Sequence, residues 1–237
     1  MLIQGTTQHL PIADNSIDMI FTDPPYNVDY GSNKHHPAWR VRAIVNDKQG
    51  GGAWVQFVSD IGSSIKEYVT GDVYIWCASG PEGMKLTLTM EELGLHWSAT
   101  IIWKKQQLVL SPANYQRMYE PCLYGWFKKS SFNGIRTETE VWEVDRPHRS
   151  AEHPTMKPIA LCLKGLENSS RPGDIVLDLF LGSGSTLIAA HQSNRVCYGA
   201  EIDPTYCDVI VQRYVNLTKS RNIRLNGAEI EWVDILK

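Results

Sequence analysis

The chain has 237 residues, of which 43% are hydrophobic and 21% are charged, values ordinary for a globular protein large enough to bury a substantial core. Its net charge of −3 gives no general attraction to a polyanion, so any nucleic-acid surface must be local. No apolar run approaches the ~20 residues that span a bilayer, and no basic region followed by an apolar stretch opens the chain. These features predict a cytoplasmic protein that has no membrane segment.

Short apolar runs alternate with amphipathic stretches along the chain. Strands are predicted, in chain order, at residues 17–22, 72–77, 99–103, 122–126, 175–178 and 196–201. Helices are predicted at residues 55–69, 157–169, 186–192 and 203–217. Strands that alternate with helices indicate a layered α/β domain with a mostly parallel sheet. The whole chain, residues 1–237, is predicted to form this single domain.

The stretch "TDPPYN" follows the first predicted strand and combines an acid, two prolines and an aromatic. Pro24 and Pro25 end the strand and fix the backbone, so Asp23 and Tyr26 are expected on one rigid turn. Ligands of parallel sheets bind at the carboxyl ends of the strands, which is where this turn lies. The alternative is structural, with Asp23 as a turn cap and Tyr26 as a packed aromatic.

A second strand end carries the stretch "DLFLGSGST". Gly182 and Gly184 allow a ligand to approach the backbone closely, and the helix that begins at Thr186 directs its amide groups toward the loop. Glu201 ends the next strand, 23 positions after Asp178, where a carboxylate can accept hydrogen bonds from both ribose hydroxyls. The loop is GxG rather than GxGxxG and lacks a following GKS or GKT. The pattern therefore favours a compact nucleoside cofactor over a dinucleotide or a nucleoside triphosphate.

Five motifs together resemble one enzyme family along nearly the entire chain. They are "SIDMIFTDPPYNVDYG", "NYQRMYEPCLYG", "HPTMKP", "PGDIVLDLFLGSGST" and "GAEIDPTYCDVIVQR". Their order, with the tetrapeptide ahead of the glycine loop, is similar to that of the β group of adenine-N6 and cytosine-N4 DNA methyltransferases. The resemblance implies a Rossmann-like, S-adenosylmethionine-dependent methyltransferase fold with circularly permuted motifs and helices on both faces of the sheet. It also implies a substrate, a base flipped out of double-stranded DNA.

The resemblance gives the tetrapeptide a chemical role. The lone pair of an exocyclic base amine is delocalised into the ring, so the amine is a poor nucleophile. The Asp23 carboxylate and the Pro24 carbonyl would accept its two hydrogens and localise that lone pair, with Pro25 keeping the turn rigid and Tyr26 stacking on the base. Because stacking needs only the ring, Tyr26→Phe is expected to keep much of the activity. Adenine N6 is the expected target, since cytosine-N4 members more often begin the motif with Ser.

The resemblance also implies the cofactor contacts. Glu201 would hold the ribose and Ile202 would pack on the adenine. The methionine portion would contact Asp178, Phe180, Gly182, Ser183, Gly184, Thr186, Thr155 and Lys157. For Thr155 and Lys157 the alternative is a helix cap and a solvated lysine. Thr6 is a further candidate, in a segment where the family often carries an acid beside the cofactor adenine.

Two segments are expected to face DNA. Residues 27–52 follow the tetrapeptide and would form a mobile flap, with Lys34 and Arg40 toward DNA and the glycines at 50–52 as a hinge. Residues 127–152 would form a short target-recognition segment. Its basic side chains, expected to contact phosphates, are Lys128, Lys129, Arg136, Arg146 and Arg149. The alternative is a solvated charged loop. No metal site is predicted, because the paired histidines at 35 and 36 have no further ligands at matching spacing.

The residues leave several functions open. The alternatives to adenine-N6 methylation are cytosine-N4 methylation, methylation of RNA or protein amines, and a catalytically silent regulator that binds the cofactor. A short recognition segment would let a monomer cover few base pairs, so a homodimer is expected.

Overall fold

The computed structural model describes residues 1–7, 9–27, 49–109, 114–145 and 156–233. Its main sheet is formed by β1 (Leu2–Gln4), β2 (Met19–Thr22), β3 (Asp72–Trp76), β4 (His96–Val109), β5 (Arg117–Trp126), β6 (Val141–Glu143), β7 (Ile175–Asp178) and β8 (Val196–Glu201). The helices are α1 (Gly51–Tyr68), α2 (Pro81–Glu92), α3 (Ile159–Ser169), α4 (Ser185–Gln192) and α5 (Pro204–Thr218). A separate hairpin consists of β9 (Asn222–Leu225) and β10 (Ala228–Glu231).

The strands lie in the order β1-β8-β7-β2-β3-β5-β4-β6. The pairs from β1 to β3 are parallel, whereas β5 is antiparallel to both β3 and β4, and β6 is parallel to β4. The predicted α/β class and mostly parallel sheet are confirmed. All six predicted strands are present, and β7 and β8 have the predicted bounds. β4 and β5 are longer than predicted, and β1, β6, α2 and the β9–β10 hairpin were not predicted.

Helices cover both faces of the sheet, as predicted. α1 and α2 pack on one face, against inward side chains such as Val73 and Ile75 of β3. α3, α4 and α5 pack on the other face, against Tyr74 and Trp76 of the same strand. Successive strand residues point to opposite faces, so a strand buried on both sides reads as a continuous apolar run. None of the helices in the described ranges is long and apolar enough to cross a bilayer.

The first turn of α1 differs from expectation. The sequence predicted a flap hinge at the glycines 50–52, but Gly51 and Gly52 lie inside the helix and Gly50 is its N-cap residue. The helix forms there because its apolar face, which includes Trp54 and Val58, is buried against the sheet. Residues 28–48 of the predicted flap lie outside the described residues.

The parallel strands give the sheet two distinct edges. β2, β3, β7 and β8 all end at what we call the carboxyl edge, where Thr22, Trp76, Asp178 and Glu201 are the last strand residues. Their first residues define the opposite, amino edge. Because β5 runs antiparallel to β3, residues before Cys122 lie toward the carboxyl edge and residues after Trp126 lie at the amino edge.

A buried carboxylate anchors the chain at the amino edge. Asp72, fully buried, accepts hydrogen bonds on Oδ2 from the Tyr124 hydroxyl at 3.0 Å and from Ser169 Oγ at 2.6 Å. Its Oδ1 accepts from the Ser131 amide at 3.1 Å, and Ser131 Oγ donates to the Ser169 carbonyl at 2.9 Å. These bonds hold the start of the predicted recognition segment against β3, β5 and the end of α3.

The five cysteines are buried free thiols; they are Cys77, Cys122, Cys162, Cys197 and Cys207. Burial raises the pKa of Cys77 and of Cys162 to about 12, so both remain protonated near neutral pH.

The Asp72 cluster yields a stability prediction. Asp72→Ala leaves several buried donors without an acceptor and should lower the free energy of unfolding by about 2–3 kcal/mol. Asp72→Asn keeps one acceptor oxygen and should lose less. Urea unfolding measures both, with the exposed Asp145→Ala as the control, expected within about 0.5 kcal/mol of wild type. An Asp72→Ala protein as stable as that control would contradict the assigned anchor.

Candidate active site

The tetrapeptide lies at the carboxyl edge, directly after β2. The Asp23 side chain is 30% exposed. Its Oδ1 accepts a hydrogen bond from the Tyr26 hydroxyl at 2.6 Å, and its Oδ2 accepts from Lys157 Nζ at 2.6 Å. The turn formed by Pro24 and Pro25 therefore brings the acid and the phenol of residues 23 and 26 into direct contact.

Lys157 is a buried cation that joins two acids. Its side chain is 9% exposed, and Nζ lies 2.6 Å from Asp23 Oδ2 and 2.9 Å from Glu120 Oε2. Burial alone would lower the pKa of Lys157, but the charges of Asp23 and Glu120 raise it more, so its net pKa lies above the usual value. The ammonium also lies over the ring of Trp76, 5.3 Å from its centroid, and donates to the Tyr26 hydroxyl at 3.1 Å. Lys157, which was predicted as a site residue, thus contacts Asp23 of the tetrapeptide.

Glu120 and Lys105 complete a chain of alternating charges. Glu120 Oε1 lies 2.5 Å from Lys105 Nζ. Burial would raise the pKa of Glu120, but Lys157 and Lys105 lower it further than burial raises it, to about 2. Neither Glu120 nor Lys105 was predicted as a site residue. The available signal was the position of Glu120 inside the matched stretch "NYQRMYEPCLYG", directly before the apolar run that forms the core of β5.

The glycine loop after β7 has the expected backbone. Gly182 and Gly184 have φ values of +53° and +85°, a conformation that favours glycine. The Gly182 amide donates to Glu201 Oε2 at 2.8 Å, and the Asp203 amide donates to Glu201 Oε1 at 2.9 Å. Burial raises the pKa of Glu201. Among the described residues, a Cβ at Gly182 would meet only the Phe180 carbonyl oxygen, at 4.0 Å, which leaves room for a ligand beside this backbone.

Asp178 connects the two strand ends. Its Oδ1 accepts from Thr22 Oγ1 at 2.8 Å and from the Phe180 amide at 3.1 Å, and its Oδ2 accepts from Thr186 Oγ1 at 2.7 Å. Burial raises the pKa of Asp178 to about 6, although these three donors oppose the shift. The carboxylate therefore ties the residue before Asp23 to the loop and to the first turn of α4.

The loop also offers polar groups suited to a ligand. Ser185 Oγ is buried and has no hydrogen-bond partner among the residues that the structure describes. Ser183 is held by Arg213 of α5, whose Nη1 donates to the Ser183 carbonyl and, at 3.2 Å, to its Oγ. The Phe180 ring lies 5.9 Å from that of Phe57 in α1. Positive-φ glycines, an orphan hydroxyl and an adjacent carboxylate fit a nucleoside cofactor. Ser185 and Arg213 were not predicted as site residues.

Two further predicted residues lie beside the loop. Ile202 is exposed next to Glu201. Thr6 is exposed just beyond β1, which pairs with β8 so that Gln4 lies opposite Glu201. Asn27, after the tetrapeptide, exchanges two hydrogen bonds with the backbone of Gln49 and so joins the two ends of the predicted flap. Thr155 lies outside the described residues.

Some of the residues predicted to contact DNA lie far from the tetrapeptide. Lys128 donates to the Val69 carbonyl at 2.8 Å and to Asn15, so it caps the end of α1 at the amino edge. Lys129 is exposed at the same edge, and Arg136 is exposed in a turn packed beside α3. The structure therefore separates Lys128 and Lys129 from the tetrapeptide by the length of the strands. The remaining predicted contacts, Lys34, Arg40, Arg146 and Arg149, lie outside the described residues.

The family follows from comparison with known proteins. The family model for N6 and N4 DNA methylases matches residues 17–212, and the chain belongs to this family. It is 27% identical to the type II methyltransferase M.BglII of Bacillus subtilis over 86% of its length, and 26% identical to M.HpaI of Haemophilus parainfluenzae over 85%. The chain spans 65% and 69% of the lengths of these relatives. The predicted family membership is confirmed.

Solved structures confirm the predicted fold. The PvuII DNA methyltransferase, described as cytosine-N4-specific, superposes with a TM-score of 0.74 at 14% identity over 90% of this chain and 85% of that one. The complex of M1.HpyAVI with S-adenosylmethionine gives a TM-score of 0.63 at 23% identity over 90% of this chain and 100% of that one. At these identities the likeness supports the fold alone.

The charge cluster predicts a pH-dependent stability. The pKa of Glu120 in the fold, about 2, lies below its ordinary value of 4.5. Its charge therefore stabilises the fold fully above about pH 4.5, and this contribution is lost as the pH falls through about 2. Glu120→Gln should cost about 3 kcal/mol at pH 7, because it breaks a buried ion pair. The difference from wild type, measured by urea unfolding from pH 7 to pH 3, should shrink below pH 4.5. A difference that stays constant over that range would contradict the assigned charge.

Proposed function

We propose that this protein transfers a methyl group from S-adenosylmethionine to the N6 amine of an adenine flipped out of double-stranded DNA. The observation that carries the proposal is the junction of two strand ends. The rigid Asp23–Tyr26 turn lies beside the glycine loop, and Thr22 Oγ1 joins the two by its 2.8 Å hydrogen bond to Asp178. A group that activates an amine and a loop that fits a nucleoside are thereby held next to each other.

Asp23 is the group that activates the amine. An ionised carboxylate has about four acceptor positions, and among the described residues Tyr26 and Lys157 occupy two of those on Asp23. The remaining positions can accept a base amine at the exposed part of the side chain. Together with the Pro24 carbonyl, Asp23 draws the amine hydrogens out of the plane of the base and localises the nitrogen lone pair. The gain in rate comes from holding these acceptors in fixed geometry.

Tyr26 and Lys157 orient that carboxylate. Each fixes one oxygen of Asp23, so the carboxyl plane cannot rotate without breaking a hydrogen bond to a neighbour that is itself held. The hydroxyl of Tyr26 therefore has a function besides the stacking expected of its ring. This revises the effect expected for Tyr26→Phe, which removes one of the two bonds that orient Asp23 and should lie between wild type and Tyr26→Ala in rate.

S-adenosylmethionine supplies, when bound, the methyl group on a sulfonium. Glu201 would hold the ribose, and Ile202, exposed at the end of β8, would face the adenine. Gly182, Ser183 and Gly184 would approach the methionine portion through their backbone. Asp178 is buried and already accepts three hydrogen bonds, so it acts on the cofactor chiefly by positioning the loop.

Adenine as the target, duplex DNA as the partner and a homodimer as the working form all belong to this proposal. Adenine is supported by the Asp that opens the tetrapeptide. The dimer is supported by an exposed apolar pair on α2, where Met84 and Leu88, four residues apart, are 67% and 52% exposed. Light scattering of the purified protein tests the dimer, and mass spectrometry of nucleosides from treated DNA tests the target.

The Asp23 carboxylate yields the first functional prediction. Asp23→Ala should lower the rate of methyl transfer by at least about 10²–10³, the usual effect of removing one preorganised polar group, while the fold is retained. Nucleosides from DNA treated with each variant are quantified by mass spectrometry, with Tyr26→Phe and Tyr26→Ala as the graded series. Substantial turnover by Asp23→Ala would contradict the mechanism. N4-methylcytosine as the main wild-type product would contradict the adenine target alone.

Glu201, beside the glycine loop, yields the second functional prediction. Glu201→Ala should weaken S-adenosylmethionine binding by about 1–3 kcal/mol, because charge-assisted hydrogen bonds to the ribose are lost. Calorimetry measures this on protein shown to be folded. Glu201→Gln is the matched control, since it keeps an acceptor for the Gly182 amide and should weaken binding less. An unchanged dissociation constant in Glu201→Ala would exclude Glu201 from the ribose site.

A further inference from the structure

The extended part of β4 and β5 lies at the carboxyl edge, next to the tetrapeptide. β5 pairs antiparallel with β3 up to Cys122 opposite Trp76, and the Cys77 amide donates to the Pro121 carbonyl at 3.0 Å. Residues before Pro121 therefore continue past the end of β3. Glu120, the first of them, lies 2.9 Å from Lys157, so this strand leaves the sheet at the candidate active site.

Beyond that point β5 no longer pairs with β3, and β4 and β5 pair with each other; within the described residues, only Lys104 also pairs with another strand, at Glu143 of β6. We call residues 104–109 and 114–119 the distal ribbon. Lys104 pairs with Tyr119 and Val109 with Arg117, with a bulge in β4 between those pairs. The strand from Glu120 to Arg117 rises about 10 Å, at roughly 3.3 Å per residue. Bulges next to active sites re-aim side chains, and this one places three extra residues on the β4 side.

The distal ribbon exposes large apolar and aromatic side chains. Tyr115 is 90% exposed, and Leu108, Met118 and Tyr119 are also exposed. A two-stranded ribbon exposed on both faces has little core of its own, and it gains rigidity from a surface that covers it. An exposed segment that carries several large apolar and aromatic side chains is a candidate binding surface.

The composition of this segment suits a nucleic acid. Residues 104–119 contain Lys104, Lys105 and Arg117 but no aspartate or glutamate. Lys104 pairs with Glu143 and Lys105 pairs with Glu120, so Arg117 is the main basic contribution of this segment to a surface for DNA. The segment also carries four side-chain amides, at Gln106, Gln107, Asn114 and Gln116. Amides and arginine are the groups that read base edges in the major groove, and tyrosine stacks on bases.

We propose that the distal ribbon binds the DNA duplex beside the target base, with Tyr115 and Arg117 as its main contacts. The inference rests on the proposed function, because it supposes that DNA approaches the carboxyl edge. The major groove, about 12 Å wide, admits a two-stranded ribbon. The ribbon begins next to Glu120, so a duplex that contacts Arg117 lies about 10 Å beyond Glu120, near the tetrapeptide. This surface replaces the Lys128–Lys129 surface expected from the sequence, which lies at the amino edge.

The test compares two surfaces of the full-length protein. Fluorescence anisotropy measures the affinity of Tyr115→Ala/Arg117→Ala for a DNA duplex that contains the methylated site, found by sequencing modified bases in cells that express the wild type. The double variant should bind at least about tenfold more weakly, and the slope of log affinity against log salt should fall by about 1 for the lost arginine. Its affinity for S-adenosylmethionine, measured by calorimetry, should be unchanged.

Two control variants separate the surfaces. Arg224→Ala removes an exposed charge in β9, beyond the end of α5 and away from the carboxyl edge, and should leave DNA binding within about twofold. Lys129→Ala removes a charge from the surface expected from the sequence. Arg117→Lys and Tyr115→Phe should restore much of the affinity, because they keep the charge and the ring.

The outcomes distinguish the inference from the function on which it rests. A double variant that binds DNA like wild type, in a protein whose wild type methylates DNA, overturns the distal ribbon and leaves the proposed function standing. A loss for Lys129→Ala equal to that of the double variant also overturns it. A wild type that methylates no DNA overturns the proposed function itself. If the double variant melts early, Tyr115→Ala alone, a change at a 90% exposed side chain, provides the same comparison.

Discussion

The arrangement of the site depends on one buried cation. Lys157 brings together Asp23, which follows β2, and Glu120, which belongs to β5, although these residues are far apart in the sequence. Removing a charged ammonium from water costs several kcal/mol unless opposite charges are close, and the two carboxylates meet that requirement only in the native arrangement. The same requirement fixes the position of the segment that precedes α3. The electrostatics that keep Lys157 charged thus also orient the acid of the tetrapeptide.

A second constraint sets the distance between the tetrapeptide and the glycine loop. Thr22 Oγ1 donates to Asp178 and also accepts from the Leu179 amide at 3.1 Å. The last residue of β2 is therefore bonded both to the last residue of β7 and to the first residue after it. β2 and β7 are neighbours in the sheet, which leaves little freedom between their carboxyl ends. In-line transfer needs near-fixed separation of the reacting groups. Here that separation is set by strand pairing and a buried hydroxyl rather than by the exposed side chains.

The sequence predicted the two strand ends because glycine, proline and a lone acid after an apolar run have strong local meaning. It could not predict α2, because the run "MKLTLTM" alternates with the period of a strand although it forms a helix that buries Leu86 and Met90 and exposes Met84 and Leu88. The outer parts of β4 and β5 were missed since their polar residues give no burial signal. The partner of Lys157 depends on contacts across more than thirty positions of sequence, which no local pattern encodes.

The basic residues show most clearly that a binding surface cannot be placed from the sequence unless the direction of each strand is known. Lys128 and Lys129 follow β5 in the chain and precede the HPTMKP stretch, so their charge suggested a surface for DNA. β5, however, runs antiparallel to β3, and its end therefore lies at the amino edge, where Asp72 holds Ser131 and Lys128 caps α1. The start of the same strand, whose residues 117–119 include no acid, lies beside Asp23. Because β5 is antiparallel to its neighbour β3, it begins at the carboxyl edge and ends at the amino edge. The beginning of β5 lies beside the tetrapeptide, and the segment after its end carries contacts that stabilise the fold.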